Sequence, residues 1–247
     1  MKKHLGVWIL AGLTLSLAGA QAPSGDWILR KVDENIGSYN KIVHSRMIIH
    51  GRRASRTIES RSWILGEEKS FTEYLAPPRE AGTKMLKLGD LLWTYSPSAD
   101  RTILISGHML RQSVMGSDLS YEDLMEDRRL TDLYAAEVSG EEEYEGRPCW
   151  VLELKARTED VAYDSRKVWV DKERFVTLKE DLFAKSGKLL KRTEIKEVER
   201  AEGRWIAKRM VFKDMLKTGE VTEFLIDEVQ FNAEIPDYIF SKASLKK

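Results

Sequence analysis

Apolar residues recur every third or fourth position between Ser24 and Tyr39, and close to every second position from Lys41 onward. That change of period predicts one N-terminal helix followed by a long run of strands. In the helix, expected over residues 24–39, Trp27, Ile28, Val32, Ile36 and Tyr39 fall near one face. Arg30, Lys31, Asp33 and Glu34 lie largely opposite. Ser24 is placed to cap it, because its hydroxyl can accept from a free amide of the first turn. In the strand that follows, Val43, Met47 and Ile49 alternate with His44, Arg46 and Ile48, and Gly51-Arg52-Arg53 offers a turn. Further strands are predicted at 57–65 and 71–75, the latter ended by Pro77-Pro78, since proline has no amide to give to a ladder. Residues 83–88 and 91–95 flank Gly89-Asp90, a hairpin signal in which glycine at the first position suits a type II′ turn. Another turn, at residues 96–100, leads into a strand at 101–106.

The alternation then stops. Between Gly107 and Met125 the chain carries Gly107, Met109, Met115 and Gly116, followed by a short acidic helix. Ser120 and Asp123 have the spacing of a capping box, with Asp in place of Glu. Strand pattern resumes at 133–139, an acidic loop is expected over 141–147, and a strand follows at 148–155 with Trp150, Leu152 and Leu154 on one face. The last third reads as five strands, at about 166–170, 174–183, 189–199, 204–213 and 220–231, separated by the polar turns DKER, AKSGK, ERAEGR and LKTGE. So many consecutive hairpins imply an antiparallel sheet, strongly curved or nearly closed. Residues 235–240 form a final turn, placed to plug an open end. A meander interrupted by an apolar, half-helical insert predicts a sheet with a lid, and hence a cavity.

Composition narrows this picture without redirecting it. A chain of 247 residues suits one large β domain with a sizeable core. Lys+Arg and Asp+Glu are 40 each, which leaves no basic excess for nucleic acid, and no basic run is interleaved with aromatics. Residues 1–20 have the layout of a cleavable signal peptide: Lys2 and Lys3, an apolar run from Leu5 to Leu17, then Ala18-Gly19-Ala20. The run is short of the ~20 apolar residues a membrane span needs. Cleavage after Ala20 would remove two lysines and no acid, taking the net charge from zero to −2. No cysteine stands near the cut, so a lipid anchor there is not expected, and the mature protein is predicted in the periplasm. Cys149 is the single cysteine; it excludes an internal disulfide framework and is expected as a buried apolar residue.

Catalytic chemistry is hard to assemble from what remains. His44 and His50 share a strand face, but no further Cys, His or Asp completes a zinc set, so no metal and no cofactor is expected. Ser106, Ser113 and Ser117 lie near His108 and Asp118 in sequence, which is not triad geometry; lid caps and turns are the simpler reading. Glu122, Asp123, Glu126 and Asp127 read as a solvated helix face neutralised by Arg128 and Arg129 rather than as an acid–base pair. Arg52, Arg53, Arg56 and Arg61 form a basic patch, suited either to an anionic headgroup or acidic partner, or to protecting a strand edge by charge.

The order of a signal peptide, one helix, a long meander and a closing Phe-containing turn resembles the outer-membrane lipoprotein-sorting protein family. The resemblance is carried by LAPPREAGTKML, by LLWTYSPSADRTI, by SGHMLRQSVMGSDLSYEDL at residues 106–124, and in the tail by ERAEGRWIAKRMVFKD and EVQFNAEIPDYIF. It covers about residues 24–245 and implies a single LolA/LolB-like domain over 21–247. The implied fold is mainly β: an unclosed antiparallel barrel of about eleven strands, wrapped around the N-terminal helix and a helical lid. The implied function is non-catalytic: a carrier or chaperone that takes lipoprotein acyl chains or lipids from an inner-membrane transporter to an outer-membrane acceptor. The alternative is an accessory module that docks an envelope complex and carries no cargo. For a carrier, Trp93, Tyr95, Met109, Leu110, Met115, Trp150 and Leu152 are the expected cavity and lid residues, and Arg52, Arg53 and Arg56 the expected contacts to a partner or headgroup. Packing of the Trp residues against the helix, and of the Met residues under the lid, is the competing expectation for the same positions.

Overall fold

The computed structural model describes residues 22–36, 40–219 and 221–246. The expected signal peptide, and positions 37–39 at the end of the expected helix, lie outside the described residues. Helix α1 runs over Gly25–Ile36, and the Trp27 amide donates to the Ser24 hydroxyl at 3.3 Å, the cap the sequence suggested. Among the described residues thirteen strands follow, two more than expected: β1 (Asn40–Ile49), β2 (Arg56–Leu65), β3 (Lys69–Ala76), β4 (Lys84–Leu88), β5 (Leu91–Ser96), β6 (Arg101–Ile105), β7 (Tyr134–Tyr144), β8 (Arg147–Ala156), β9 (Ser165–Asp171), β10 (Thr177–Phe183), β11 (Leu189–Ala201), β12 (Arg204–Asp214) and β13 (Thr222–Phe231). The expected acidic loop at 141–147 is instead the continuation of β7 to a tight turn at Glu145-Gly146, where both residues have positive φ. At Gly89-Asp90 the turn has positive φ only at Gly89 (φ 57°), as a type II′ hairpin requires.

All thirteen strands belong to one antiparallel sheet in the order β6-β5-β4-β3-β2-β1-β13-β12-β11-β10-β9-β8-β7. Two meanders are therefore joined by a single long-range pair, β1 with β13. The two edges, β6 and β7, are neighbours in sequence that do not pair. Residues 106–133, the segment that broke the alternation, connect one edge of the open sheet to the other. They contain 3₁₀ turns at Gly107–Arg111 and Val114–Gly116 and the short helices α2 (Tyr121–Met125) and α3 (Leu130–Leu133).

Helix α1 and the lid segment cover the same, inner face of the sheet. Ile28, Leu29 and Val32 of α1 pack with Leu152, Leu154, Val168 and Val170 of β8 and β9. The helix is also pinned to the edge strand. A side chain at Gly25 would meet the Ala136 carbonyl oxygen at 2.3 Å, so only glycine allows the approach. Asp26 accepts from the Ala136 amide at 2.9 Å, satisfying a donor that an open edge would otherwise expose. Asp33 accepts from the amides of Leu130 and Thr131 at 3.2 and 3.0 Å, binding α1 to the start of α3. The C-terminal residues do not plug an end of the barrel as expected. Their 3₁₀ turns, Asp237–Phe240 and Lys242–Lys246, lie on the outer face and bury Phe240 and Leu245 against Phe71, Leu86 and Trp93.

Candidate functional site: an apolar cavity and its lid

Between α1 and the central strands of the inner face lies a cavity of about 370 Å³. Strand alternation supplies its walls: Val43 from β1, Ile195 from β11, Met210 and Phe212 from β12, Ile226 and Val229 from β13. Val32 of α1 and Phe175 of the β9–β10 turn close it on the helix side. Asn35 holds that turn by donating to the carbonyls of Arg174 and Phe175 at 2.7 and 3.0 Å. Glu180 also reaches the wall, where Arg166 pairs with it at 2.8 Å. Burial pulls the Arg166 guanidinium down, but Glu180 and Tyr134 beside it outweigh that and hold it charged.

The lid lies next to this cavity. Its underside is Met109, Leu110, Met115, Leu119, Tyr121 and Met125, packed on Met47, Ile58, Tyr74, Met85, Leu92 and Ile105 of the sheet. Phe212 belongs to both groups, lining the cavity and packing against the lid cluster. The cavity and the apolar surface beneath the lid therefore adjoin at Phe212. Around this apolar underside runs a rim of polar contacts. Asp118 donates its amide to Thr222 Oγ1 at 2.9 Å, accepts from that hydroxyl at 2.7 Å, and accepts from the Asp214 amide at 2.9 Å. Lys217 donates to Ser113 Oγ at 2.6 Å and to the Ser117 carbonyl at 2.8 Å. Arg56 of β2 donates to the Met115 carbonyl. Lys87 donates to the Met125 carbonyl at 2.6 Å and to Asp127 at 2.8 Å.

Asp123 is the centre of this rim. It completes the capping box, accepting from the Ser120 amide at 2.6 Å while its own amide donates to Ser120 Oγ at 3.2 Å. It also accepts from Lys191 of β11 and from the Tyr163 hydroxyl. Burial pushes its carboxyl up, but Lys191, the Ser120 amide and Tyr163 together outweigh burial and hold it below the usual carboxylate range. The expected solvated acidic face is thus corrected: Asp123 and Asp127 face the sheet and clamp the lid, and Glu126 pairs with Arg128 at 2.8 Å.

The seven expected cavity residues separate into three groups, and none of them lines the 370 Å³ cavity itself. Met109, Leu110 and Met115 lie under the lid, beside it. Trp150 and Leu152 are on the inner face but pack in the cluster covered by α1. Trp93 and Tyr95 are on the outer face. The register sets this: Leu92 pairs with Lys87 and Ile105 on the lid side, so Trp93, one residue on, pairs with Leu86 and Leu104 on the other. Lys242 stands over the Trp93 ring at 4.2 Å, and Tyr95 donates to Asp100 at 3.2 Å. Of the three arginines, Arg52 and Arg53 are exposed on the β1–β2 connection, whereas Arg56 is a lid tether. Ser113, Ser117 and Asp118 are engaged in the rim, and His108 is exposed and makes no triad with them. His50 contacts Ser55 and Glu223 at 3.0 and 2.9 Å. Cys149 is buried, and burial pushes its thiol up to about 11.

Sequence reasoning missed the cavity walls on β11 to β13 and the sheet residues that hold the lid. Alternation in β12 places Met210 and Phe212 on one face, but Trp205 and Ala207, of the other parity, also line the cavity, so no single alternation marks this wall. Lys191 and Thr222 carry no local signal, because their roles are set by pairing across about a hundred residues or less of chain that only the fold brings together.

The fold is shared with solved proteins. A domain named for outer membrane lipoprotein sorting, from Vibrio parahaemolyticus, matches with a TM-score of 0.79 and 25% identity, covering 90% of this chain and 98% of that one. A LolA superfamily protein from Nitrosomonas europaea matches with a TM-score of 0.76 and 25% identity, covering 90% and 100%. A DUF1329 family protein from Desulfovibrio piger has a TM-score of 0.82 at 23% identity, covering 90% and 97%, and supports the fold. No curated protein matches the sequence. A family model described only as "Uncharacterized protein" matches residues 66–247, most of the chain. The chain belongs to that family, and its fold is that of the solved outer-membrane lipoprotein-sorting and LolA superfamily proteins.

Proposed function

We propose that the protein is a periplasmic carrier or chaperone that holds lipoprotein acyl chains or lipids on the inner face of its sheet, exported by removal of residues 1–20 and acting as a single domain over 21–247. Cargo would pass from an inner-membrane transporter to an outer-membrane acceptor with no covalent step. The observation that carries this reading is an apolar cavity that adjoins the lid's apolar underside at Phe212, with the lid held by polar contacts along its rim. An acyl chain gains roughly 0.8 kcal/mol per buried methylene, so burial alone supplies affinity. Release then needs a second lid position, and a closure made of polar bonds at the rim can exchange them for water at small net cost. Met109, Met115 and Met125 suit such a surface, since unbranched thioether chains repack around different ligands.

Native mass spectrometry of protein isolated from its own envelope fraction without detergent, followed by lipid extraction, tests the proposal. A stoichiometric acyl-bearing adduct is expected, lost when Met109, Leu110 and Met115 are made polar. Empty protein that also fails to take up offered lipid or acylated peptide would overturn it and favour the accessory docking module.

A further inference from the structure

Lys41 is a basic residue in an apolar wall. It lies two residues before Val43 on β1, on the same inner face, and lines the cavity beside Phe231, its partner on β13. Other charged side chains at the wall are committed elsewhere. Glu180 is paired with Arg166 at 2.8 Å, and Lys179 lies 4.1 Å from the centre of the Trp169 ring. The Lys41 side chain is half-buried and makes no hydrogen bond or ion pair with any described residue. Asp127 is the carboxylate whose field reaches it, and Asp127 is bonded to Lys87 at 2.8 Å. Burial pulls the Lys41 amine down further than Asp127 pushes it up. An ammonium placed at an apolar wall without a partner is costly, and an anion arriving with the ligand would offset that cost.

Resting on the carrier reading, we propose that the cavity receives one acyl chain bearing an anionic head, a carboxylate or a phosphate monoester, with Lys41 as its counter-charge. A chain whose ester or amide leads to no nearby anionic group, as in methyl palmitate or an acylated peptide, brings no charge to Lys41 and would leave the ammonium unmet. Size points the same way. The 370 Å³ cavity is at the small end of the ~300–1,000 Å³ typical of sites for one small molecule. With the lid closed it suits a single chain better than the several chains of a lipoprotein anchor. Cargo of that larger kind would need the surface under the lid as well.

The test uses the full mature chain and four probes: palmitate, lysophosphatidate, methyl palmitate and a palmitoylated peptide, followed by titration calorimetry. Wild type is expected to bind at least one anionic probe about tenfold or more tighter than methyl palmitate, as a charge-assisted hydrogen bond implies. Lys41→Met should abolish the difference and Lys41→Arg should retain most of it. Palmitate preferred over lysophosphatidate identifies a carboxylate head, and the reverse a phosphate. Removing an unpaired charge from an apolar wall does not threaten folding, and circular dichroism of Lys41→Met checks this. Equal binding of neutral and anionic probes by wild type and Lys41→Met would overturn the inference and leave the carrier reading standing. Failure of all four probes to bind would overturn both.

Discussion

The inner face of the sheet is covered twice, and the two covers are built differently. Under α1, on β7 to β9, the packed side chains are mostly aliphatic and fully buried, among them Ile28, Leu29, Leu152, Val168 and Val170. Under the lid, on β1 to β6, Leu119 is buried but the other covering side chains, Met109, Leu110, Met115, Tyr121 and Met125, are only partly buried. Attachment of the lid is concentrated in polar contacts at its margin. A close-packed core resists opening, because each separated side chain loses its dispersion contacts and regains its hydration cost. A margin of hydrogen bonds and ion pairs exchanges its partners for water at much lower net cost. One half of the inner face is therefore permanent structure and the other is a closure, with the cavity between them.

The largest expected effect lies on the permanent side. Leu29→Ala should destabilise the whole domain by roughly 2–5 kcal/mol, through lost transfer free energy and the void left behind. Met115→Ala, a truncation of comparable size under the lid, should cost much less in global stability, because its site is half-solvated and can collapse. Denaturant unfolding of both variants measures this. Equal losses would mean that the lid is as much a part of the core as α1, and the distinction would fail.

The same contrast explains what could be read from the sequence. Helix α1 was legible because Ile28 and Val32 recur at helical spacing after Ser24, and most strands were legible because local turn chemistry at Gly89-Asp90, Gly187 and Gly203 delimits them. The lid was legible as a break in alternation. Face assignments for single strands were less so: Leu91, Trp93 and Tyr95 form a convincing apolar stripe, yet Leu92 is the residue under the lid. A strand carrying apolar residues on both faces does not say which face is inward, and here the C-terminal residues Phe240 and Leu245 cover the outer one. The acidic run at 122–127 looked solvated because Lys87 and Lys191, which pair with it, come from distant strands.

An intermediate effect is expected at Asp123. Its folded-state pKa is depressed, so the stabilisation it gives the lid is fully present above the unfolded value of 3.8 and is lost as pH falls through the lower folded value. Amide exchange across residues 107–125, corrected for intrinsic rates, should therefore accelerate on acidification below 3.8 before exchange in α1 does. Asp123→Asn should show faster lid exchange already at neutral pH, by about ten- to a hundredfold, and no acid-dependent step of this origin. Lid and α1 amides losing protection together in both proteins would show that the rim does not govern a separate opening.

Arg56 should give the smallest effect and the sharpest division of labour. Its side chain is 39% exposed, and it reaches both the Met115 carbonyl and Glu80, the latter at 3.5 Å. Met115 has φ 51°, a left-handed conformation that costs a non-glycine residue about 1–2 kcal/mol, and Gly116 follows with φ 77°. A bond to the Met115 carbonyl helps to hold that turn closed. Arg56→Ala should therefore raise lid exchange severalfold, with a loss of about 0.5–1.5 kcal/mol confined to residues 107–125. Arg52→Ala and Arg53→Ala, on the exposed connection, should leave lid exchange unchanged. If those two instead alter cargo transfer between membranes while Arg56→Ala alters only retention, the basic patch divides into an outward contact and a lid tether. If all three change lid exchange alike, the patch acts as one unit on the lid, and the distinction between closure and docking surface is lost at this corner of the sheet.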